Sequence, residues 1–152
     1  MEQLIALLTA GDRFTVEAPG NTHLAMARLV RKHWGEERWL VPEGSPFGFK
    51  VITVHAGRRT SLQYHRQKEE ANLVLSGEGR LHLGDGVDAS SSEHALMPGQ
   101  IVHIRPGMVH RIEAVTDLVL VEVSTPELDD VVRIADDVGR GDGRIESEHQ
   151  GQ

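Results

Sequence analysis

The chain has 152 residues, no cysteine, and 23 acidic against 16 basic side chains, for a formal charge of −7. This length suits one domain with an adequate core, and the missing cysteines exclude disulfide staples, thiolate metal sites and a thiol nucleophile. The acidic balance gives little electrostatic support to a nucleic-acid partner.

Residues 2–9 place Leu4, Ile5, Leu7 and Leu8 on one helical stripe, and Gly11 is suited to end that helix. The stretch is too short to span a membrane and lacks the flanks of a secretory signal, so the reading is a cytoplasmic protein without a membrane partner. Residues 1–31 are read as an N-terminal extension. Within 21–34, Leu24, Met26, Leu29 and Val30 fit a helix and a strand about equally, and that choice stays open. Arg28, Arg31, Lys32 and Arg38 form a basic cluster and Arg58-Arg59 a second; either offers charge to an anionic small molecule, or simply a solvated face.

From Glu37 onward the pattern changes to short apolar or alternating runs separated by glycine and proline. Strands are predicted over 39–41, 49–55, 60–65, 71–75, 79–83, 94–97, 101–105, 110–115 and 118–123. Ser76-Gly77-Glu78-Gly79, Gly84-Asp85-Gly86, Pro98-Gly99 and Pro106-Gly107 supply turn chemistry between them, and Ser90-Ser91-Ser92 reads as a loop tip. Many short strands at this spacing predict an all-β sandwich or barrel across 32–138. The polar, glycine-rich stretch 139–152 has little to bury and is expected to be a disordered tail. The Arg140-Gly141-Asp142 tripeptide within it is a chance match.

Gln63 and His65 are two apart in a predicted strand and so share a face. Glu70 follows just past that strand, and His110 arrives from a later pair of strands. Two imidazoles, a carboxylate and an amide oxygen suit zinc first, and also iron(II), manganese, cobalt or nickel, with positions left open for water or substrate. Spacing alone leaves two readings: ligands around one divalent ion, or polar side chains on an exposed strand. Of the nine histidines, His23, His94 and His149 are given no role.

Gly57, Gln63, His65, Glu70 and Gly77 resemble the first motif of the cupins, with glutamine at the first ligand position, and Gly99, Gly107 and His110 resemble the second. The chain is most similar to the type II mannose-6-phosphate isomerase branch, the C-terminal half of bifunctional mannose-1-phosphate guanylyltransferase/isomerases. Residues 32–140 carry that likeness, through Lys32-His33-Trp34-Gly35, Lys50-Val51-Ile52-Thr53-Val54, Asp129-Asp130-Val131-Val132-Arg133 and Asp137-Val138-Gly139-Arg140. Two departures stand out. Arg66-Gln67-Lys68 replaces a histidine run, and Lys32-His33 replaces an arginine-proline pair. The 152 residues hold no nucleotidyltransferase half, and residues 1–31 and the insertion at 85–94 lie outside the likeness.

The resemblance implies a jelly-roll β-barrel, a divalent metal on Gln63, His65, Glu70 and His110, and a sugar-phosphate substrate interconverted between aldose and ketose forms. It further implies Lys68 as the group that polarises a hydroxyl or carries a proton, with Lys50 second. Arg133 and then Arg59 are the expected phosphate contacts, with a rim salt bridge the equal alternative for each; Tyr64 and His103 are expected to line the cavity or else to pack or face water, and a homodimer is expected by analogy. Sugar epimerisation, metal-dependent oxygenation, a biosynthetic isomerisation or cyclisation, and non-catalytic ligand binding remain as alternatives on the same fold.

Overall fold

A computed structural model describes residues 27–84 and 92–149. Eleven strands are present among them: β1 (Arg28–Lys32), β2 (Gly35–Trp39), β3 (Gly48–Val54), β4 (Leu62–Tyr64), β5 (Glu70–Ser76), β6 (Gly79–Gly84), β7 (Ser92–Leu96), β8 (Ile101–Ile104), β9 (Val109–Ala114), β10 (Leu118–Ser124) and β11 (Val132–Ala135), followed by a single helical turn, α1 (Glu146–His149). They form a six-stranded sheet in the order β1-β2-β3-β10-β5-β8 and a five-stranded sheet in the order β11-β4-β9-β6-β7. All pairings are antiparallel. This is an all-β architecture, as the strand pattern predicts, and its two antiparallel sheets form the jelly roll that the resemblance implies.

The two sheets meet on a core of Trp34, Ile52, Val54, Val74, Leu81, Leu96, Val102, Ile104, Ile112, Ala114, Leu118 and Leu120. Strand alternation accounts for the selection, because residues two apart on one strand point to one face. Register then sorts the interior into rows. Leu120 lies opposite both Ile52 and Val74, giving one apolar row. One inward step further along the same strands, Glu122 lies opposite Lys50 and Asn72, and one step beyond that Ser124 lies opposite Gly48 and Glu70. One end of the barrel is therefore packed with hydrocarbon. The other carries charge on the same three strands.

Three of the predicted turns fall on described residues, at Ser76-Gly77-Glu78-Gly79, Pro98-Gly99 and Pro106-Gly107, whereas Asp85-Gly86 lies outside them. Gly77 has φ of 84° between β5 and β6, and a Cβ there would sit 2.0 Å from the Asp117 carbonyl oxygen, so both conformation and space call for glycine.

Several boundaries differ from expectation. The ambiguous stretch ends in strand β1, which pairs residue for residue with β2 from Arg28↔Trp39 to Lys32↔Gly35, so the sheet begins before residue 32. The strand expected at 39–41 is instead β2, ending at Trp39. Residues 139–149, whose composition suggested no fixed course, run back across the charged end of the barrel. They are held there by Arg133, which donates to the carbonyls of Gly141 and Gly143, and by Arg140 and Glu148. Ion pairs and backbone contacts fix this segment, a mode that hydrophobic patterning does not register. The helix expected at 2–9 lies outside the described residues, as do the first two residues of the loop tip expected at Ser90-Ser91-Ser92, whose third, Ser92, begins β7.

Candidate metal centre

The charged end of the interior opens into a cavity, and the metal-binding candidates converge there. Strand β4 contributes Gln63, the turn after it His65, the start of β5 Glu70, and β9 His110. Gln63 lies opposite His110 in the β4–β9 register, and Arg133 lies opposite Gln63 in the β11–β4 register, so these three occupy neighbouring positions across one sheet. Glu70 faces them from the other sheet. Its carboxylate is 3.6 Å from His65 Nε2 and 3.7 Å from His110 Nε2, and one ligand atom from each of the three residues lies within 4.8 Å of the others.

Both imidazoles are oriented by backbone. His65 Nδ1 bonds the Asp130 carbonyl, and His110 Nδ1 bonds the Met108 carbonyl at 3.0 Å. A carbonyl only accepts, so each Nδ1 carries the proton and each Nε2 presents a lone pair to the cavity. The buried Nε2 of His65 has no hydrogen-bond partner. A buried lone pair without a donor, beside a second imidazole and a carboxylate, is the donor set that a divalent cation satisfies, and carbonyl acceptors on the far nitrogens are the usual support for such ligands. Burial and the Lys68 ammonium lower the His65 pKa, which keeps the ring in its neutral, coordinating form.

Beneath the cluster lies a buried charge network. Lys68 Nζ bonds Glu70 and reaches Glu122 at 3.0 Å, while Asn72 donates to Glu70 at 3.2 Å. Burial opposes ionisation of Glu70, but the adjacent Lys68 ammonium, which also donates to it, holds its carboxyl well below the usual carboxylate range. Burial likewise opposes charge on Lys68, and the Glu122 and Glu70 carboxylates outweigh it, so Lys68 stays an ammonium. Lys50 forms a second pair, 3.4 Å from Glu37 and 3.8 Å from Glu122, with its Nζ 4.6 Å from the Trp39 ring centroid. Burial pushes the Glu37 pKa up; Lys50, Lys32 and the Trp39 indole hold it at about 2.

Seven of the ten residues named from the sequence line this cavity: Gln63, His65, Glu70, His110, Lys50, Lys68 and Arg133. Three do not. Arg59 is exposed and makes a forked pair with Asp137 at 2.8 and 2.9 Å, Tyr64 falls on the other face of β4 from Gln63, and His103 is exposed and bonded to Glu69 at 2.6 Å on the far side of the six-stranded sheet. Lys32, named from the sequence only as part of a basic cluster open to an anionic small molecule, lines the cavity, and sequence reasoning missed Glu37, Asn72, Glu122, Arg140 and His149, all cavity residues. A signal existed for Asn72 and Glu122, polar residues at inward positions of apolar strands. The approach of Arg140 and His149 depends on the returning C-terminal segment and has no local signature.

Two antiparallel sheets enclosing an inward His-Glu-His cluster define a jelly-roll barrel with an internal metal-type site. Residues 50–124 match the family model for the cupin domain, and the chain carries a cupin domain. Over 130 residues it is 31% identical to the xanthan biosynthesis protein XanB of Xanthomonas campestris pv. campestris and 31% identical to the mannose-1-phosphate guanylyltransferase ManC of Salmonella typhimurium, covering 82% of this chain and 26% of each relative. The chain thus spans about a quarter of the length of the curated relatives it matches. In structure it is similar to the capsular polysaccharide assembling protein CapF from Staphylococcus aureus, with a TM-score of 0.65, 20% identity, and coverage of 78% of this chain and 34% of that one; this likeness concerns the fold. Among the described residues no helix is long and apolar enough to cross a membrane.

Proposed function

We propose that this cupin is a metal-dependent isomerase that interconverts the aldose and ketose forms of a sugar phosphate of the mannose 6-phosphate type. The observation that carries the proposal is the meeting of His65, Glu70, His110 and Gln63 with two buried lysines in one cavity; the likeness to ManC and XanB over most of the chain supports the substrate class. His65, Glu70 and His110 would hold the ion, with the Gln63 amide oxygen as the fourth donor. Zinc is the first choice, and iron(II), manganese, cobalt and nickel suit the same donors. When bound, the ion supplies Lewis-acid polarisation to neighbouring substrate oxygens.

The protein side of the chemistry follows from the network. Moving a proton between adjacent carbons needs a donor to the developing oxyanion and a carrier for the proton. Lys68, fixed as an ammonium between Glu70 and Glu122, acts as a donor and not as a base. Lys50, held less closely at 3.4 and 3.8 Å from its carboxylates, is the proton carrier, and it takes the proton from one carbon and returns it to the next only after it has released its own ammonium proton. Arg133 faces the cavity as the phosphate contact, whereas Arg59 is committed to Asp137. The protein acts as a homodimer: the outer face of the six-stranded sheet exposes Ile101 (70%), Leu73 (36%) and Val123 (50%), and Leu73 and Ile101 are direct neighbours across β5 and β8. A contiguous apolar face of this kind favours self-association.

The test is conversion of mannose 6-phosphate to fructose 6-phosphate by the purified protein with zinc, cobalt or manganese, against a chelator control. Chelator-sensitive conversion is expected. His65→Ala and His110→Ala are each expected to lose metal and turnover together, and full activity in either variant would sink the proposal. Retained metal with no conversion would reassign the cavity to another small metabolite.

A further inference from the structure

The returning C-terminal segment puts a carboxylate where the cavity concentrates positive charge. Glu148, in α1, accepts from Lys32 Nζ at 2.6 Å through one oxygen and from Arg140 Nη1 at 3.0 Å through the other. The Lys32 and Arg140 side chains are each 9% exposed and that of Glu148 is 13%. Lys32 comes from β1 and Arg140 from the segment after β11, so the two cations converge from opposite ends of the chain on one acceptor and line the same cavity as the metal-type cluster.

Arg140 is braced from behind. Its Nε and Nη2 donate to Asp136 at 3.0 and 2.7 Å, which leaves Nη1 for the cavity side. Arg133 stands next to this group with its Nη1 on carbonyl oxygens alone and its buried Nε without a partner. Lys32 and Arg140 against Asp136 and Glu148 make a neutral set. With Glu148 withdrawn that set is left with one positive charge, and Arg133 adds a second. Two unbalanced cations match a phosphomonoester, whose charge near neutral pH is between about −1.5 and −2 and whose oxygens accept strongly.

We infer that Lys32 and Arg140 form an anion subsite for the phosphate of the substrate, and that the Glu148 carboxylate is a built-in competitor that fills it until a phosphate displaces it. The inference rests on the reading of the cavity as a sugar-phosphate site and extends it to residues beyond Arg133. The segment that carries Glu148 is suited to leave. It is a single turn with no buried residue, reached through Gly139, Gly141 and Gly143, and polar contacts dominate its attachment.

Binding of inorganic phosphate to the full chain, followed by titration calorimetry, tests this without turnover. Glu148→Gln keeps the shape and removes the charge, and it should tighten phosphate binding about tenfold, as expected for removing one charged hydrogen-bond competitor. The gain should appear in both metal-loaded and chelator-treated protein, and Lys32→Met or Arg140→Leu in the Glu148→Gln background should abolish it. A gain seen only with metal places the phosphate on the ion and overturns the inference; so does a gain that survives Arg140→Leu, or unchanged affinity in a natively melting Glu148→Gln protein. A measurement on the unmodified chain guards against a variant that fails to fold. Phosphate should accelerate amide exchange in the peptide spanning residues 140–149, and unchanged or slowed exchange would refute displacement. Tight, Glu148-sensitive phosphate binding in a protein that converts no mannose 6-phosphate would retain the subsite and reject the isomerase.

Discussion

Lys68 is the residue whose replacement most sharply separates stability from chemistry. It is buried between two carboxylates, and removing one member of such a set strands the others without compensation, at about 3–5 kcal/mol. Lys68→Met is therefore expected to lower the unfolding free energy of metal-free protein by about that amount in urea titration, with a smaller loss when an added divalent ion takes over the neutralisation of Glu70. Equal losses with and without metal would detach Glu70 from the ion. Glu37 gives a pH signature. Its folded pKa of about 2 lies below the ordinary 4.5, so its contribution is complete above about pH 4.5 and is lost as pH falls toward 2. That amounts to roughly 3 kcal/mol across the window. Melting temperatures between pH 5 and 2 should fall less steeply in Glu37→Gln than in the unmodified protein, and parallel curves would refute the assignment. Strand alternation, a local property, put Gln63 and His65 on one face, whereas Glu70 and His110 joined them only through the motif resemblance, because spacing alone left an exposed strand equally open; all four line the cavity. Arg59, Tyr64 and His103 misled because residue type says nothing of facing: each has the right chemistry on the wrong side of its strand or in a pre-existing ion pair.

Among elements, the segment between β10 and β11 positions the site most directly. Asp130 uses its carbonyl to orient His65 and its carboxylate to accept the Gln67 and Lys68 amides at 2.5 and 3.0 Å, so one residue of this loop pins the whole turn between β4 and β5. Asp130→Ala is expected to weaken metal affinity about tenfold, the lower range for lost support around ligands, measured by competition with a chromophoric chelator; unchanged affinity would limit Asp130 to loop packing. The strands of the barrel were largely readable, because β3, β5, β9 and β10 alternate or run apolar and are bounded by glycine or proline. Strand β11 and helix α1 were not. Val132–Ala135 is too short to show a period, and Glu146–His149 has no apolar face, so it is fixed by tertiary contacts such as Lys32 with Glu148, Arg28 with His149 and the Trp39 ring against His149.

At the scale of the molecule, the exposed apolar face of the six-stranded sheet predicts self-association. Ile101→Glu would bury a charge in the middle of that contact and is expected to shift the protein from dimer to monomer in sedimentation velocity, with the metal cluster intact on the inner face. An unmodified chain that sediments as a monomer would remove the dimer altogether. The rows across β3, β10 and β5 have a different consequence. Leu120 with Ile52 and Val74 seals the barrel, while Glu122 with Lys50 and Asn72, two residues along the same strands, lines the charged cavity. Scaffold and chemistry are thus written in series on each strand, divided by a single inward step. A lineage could exchange the outer rows to take on a new substrate while inheriting the inner one unchanged, so one barrel can serve as stock for many catalysts without being refolded from scratch.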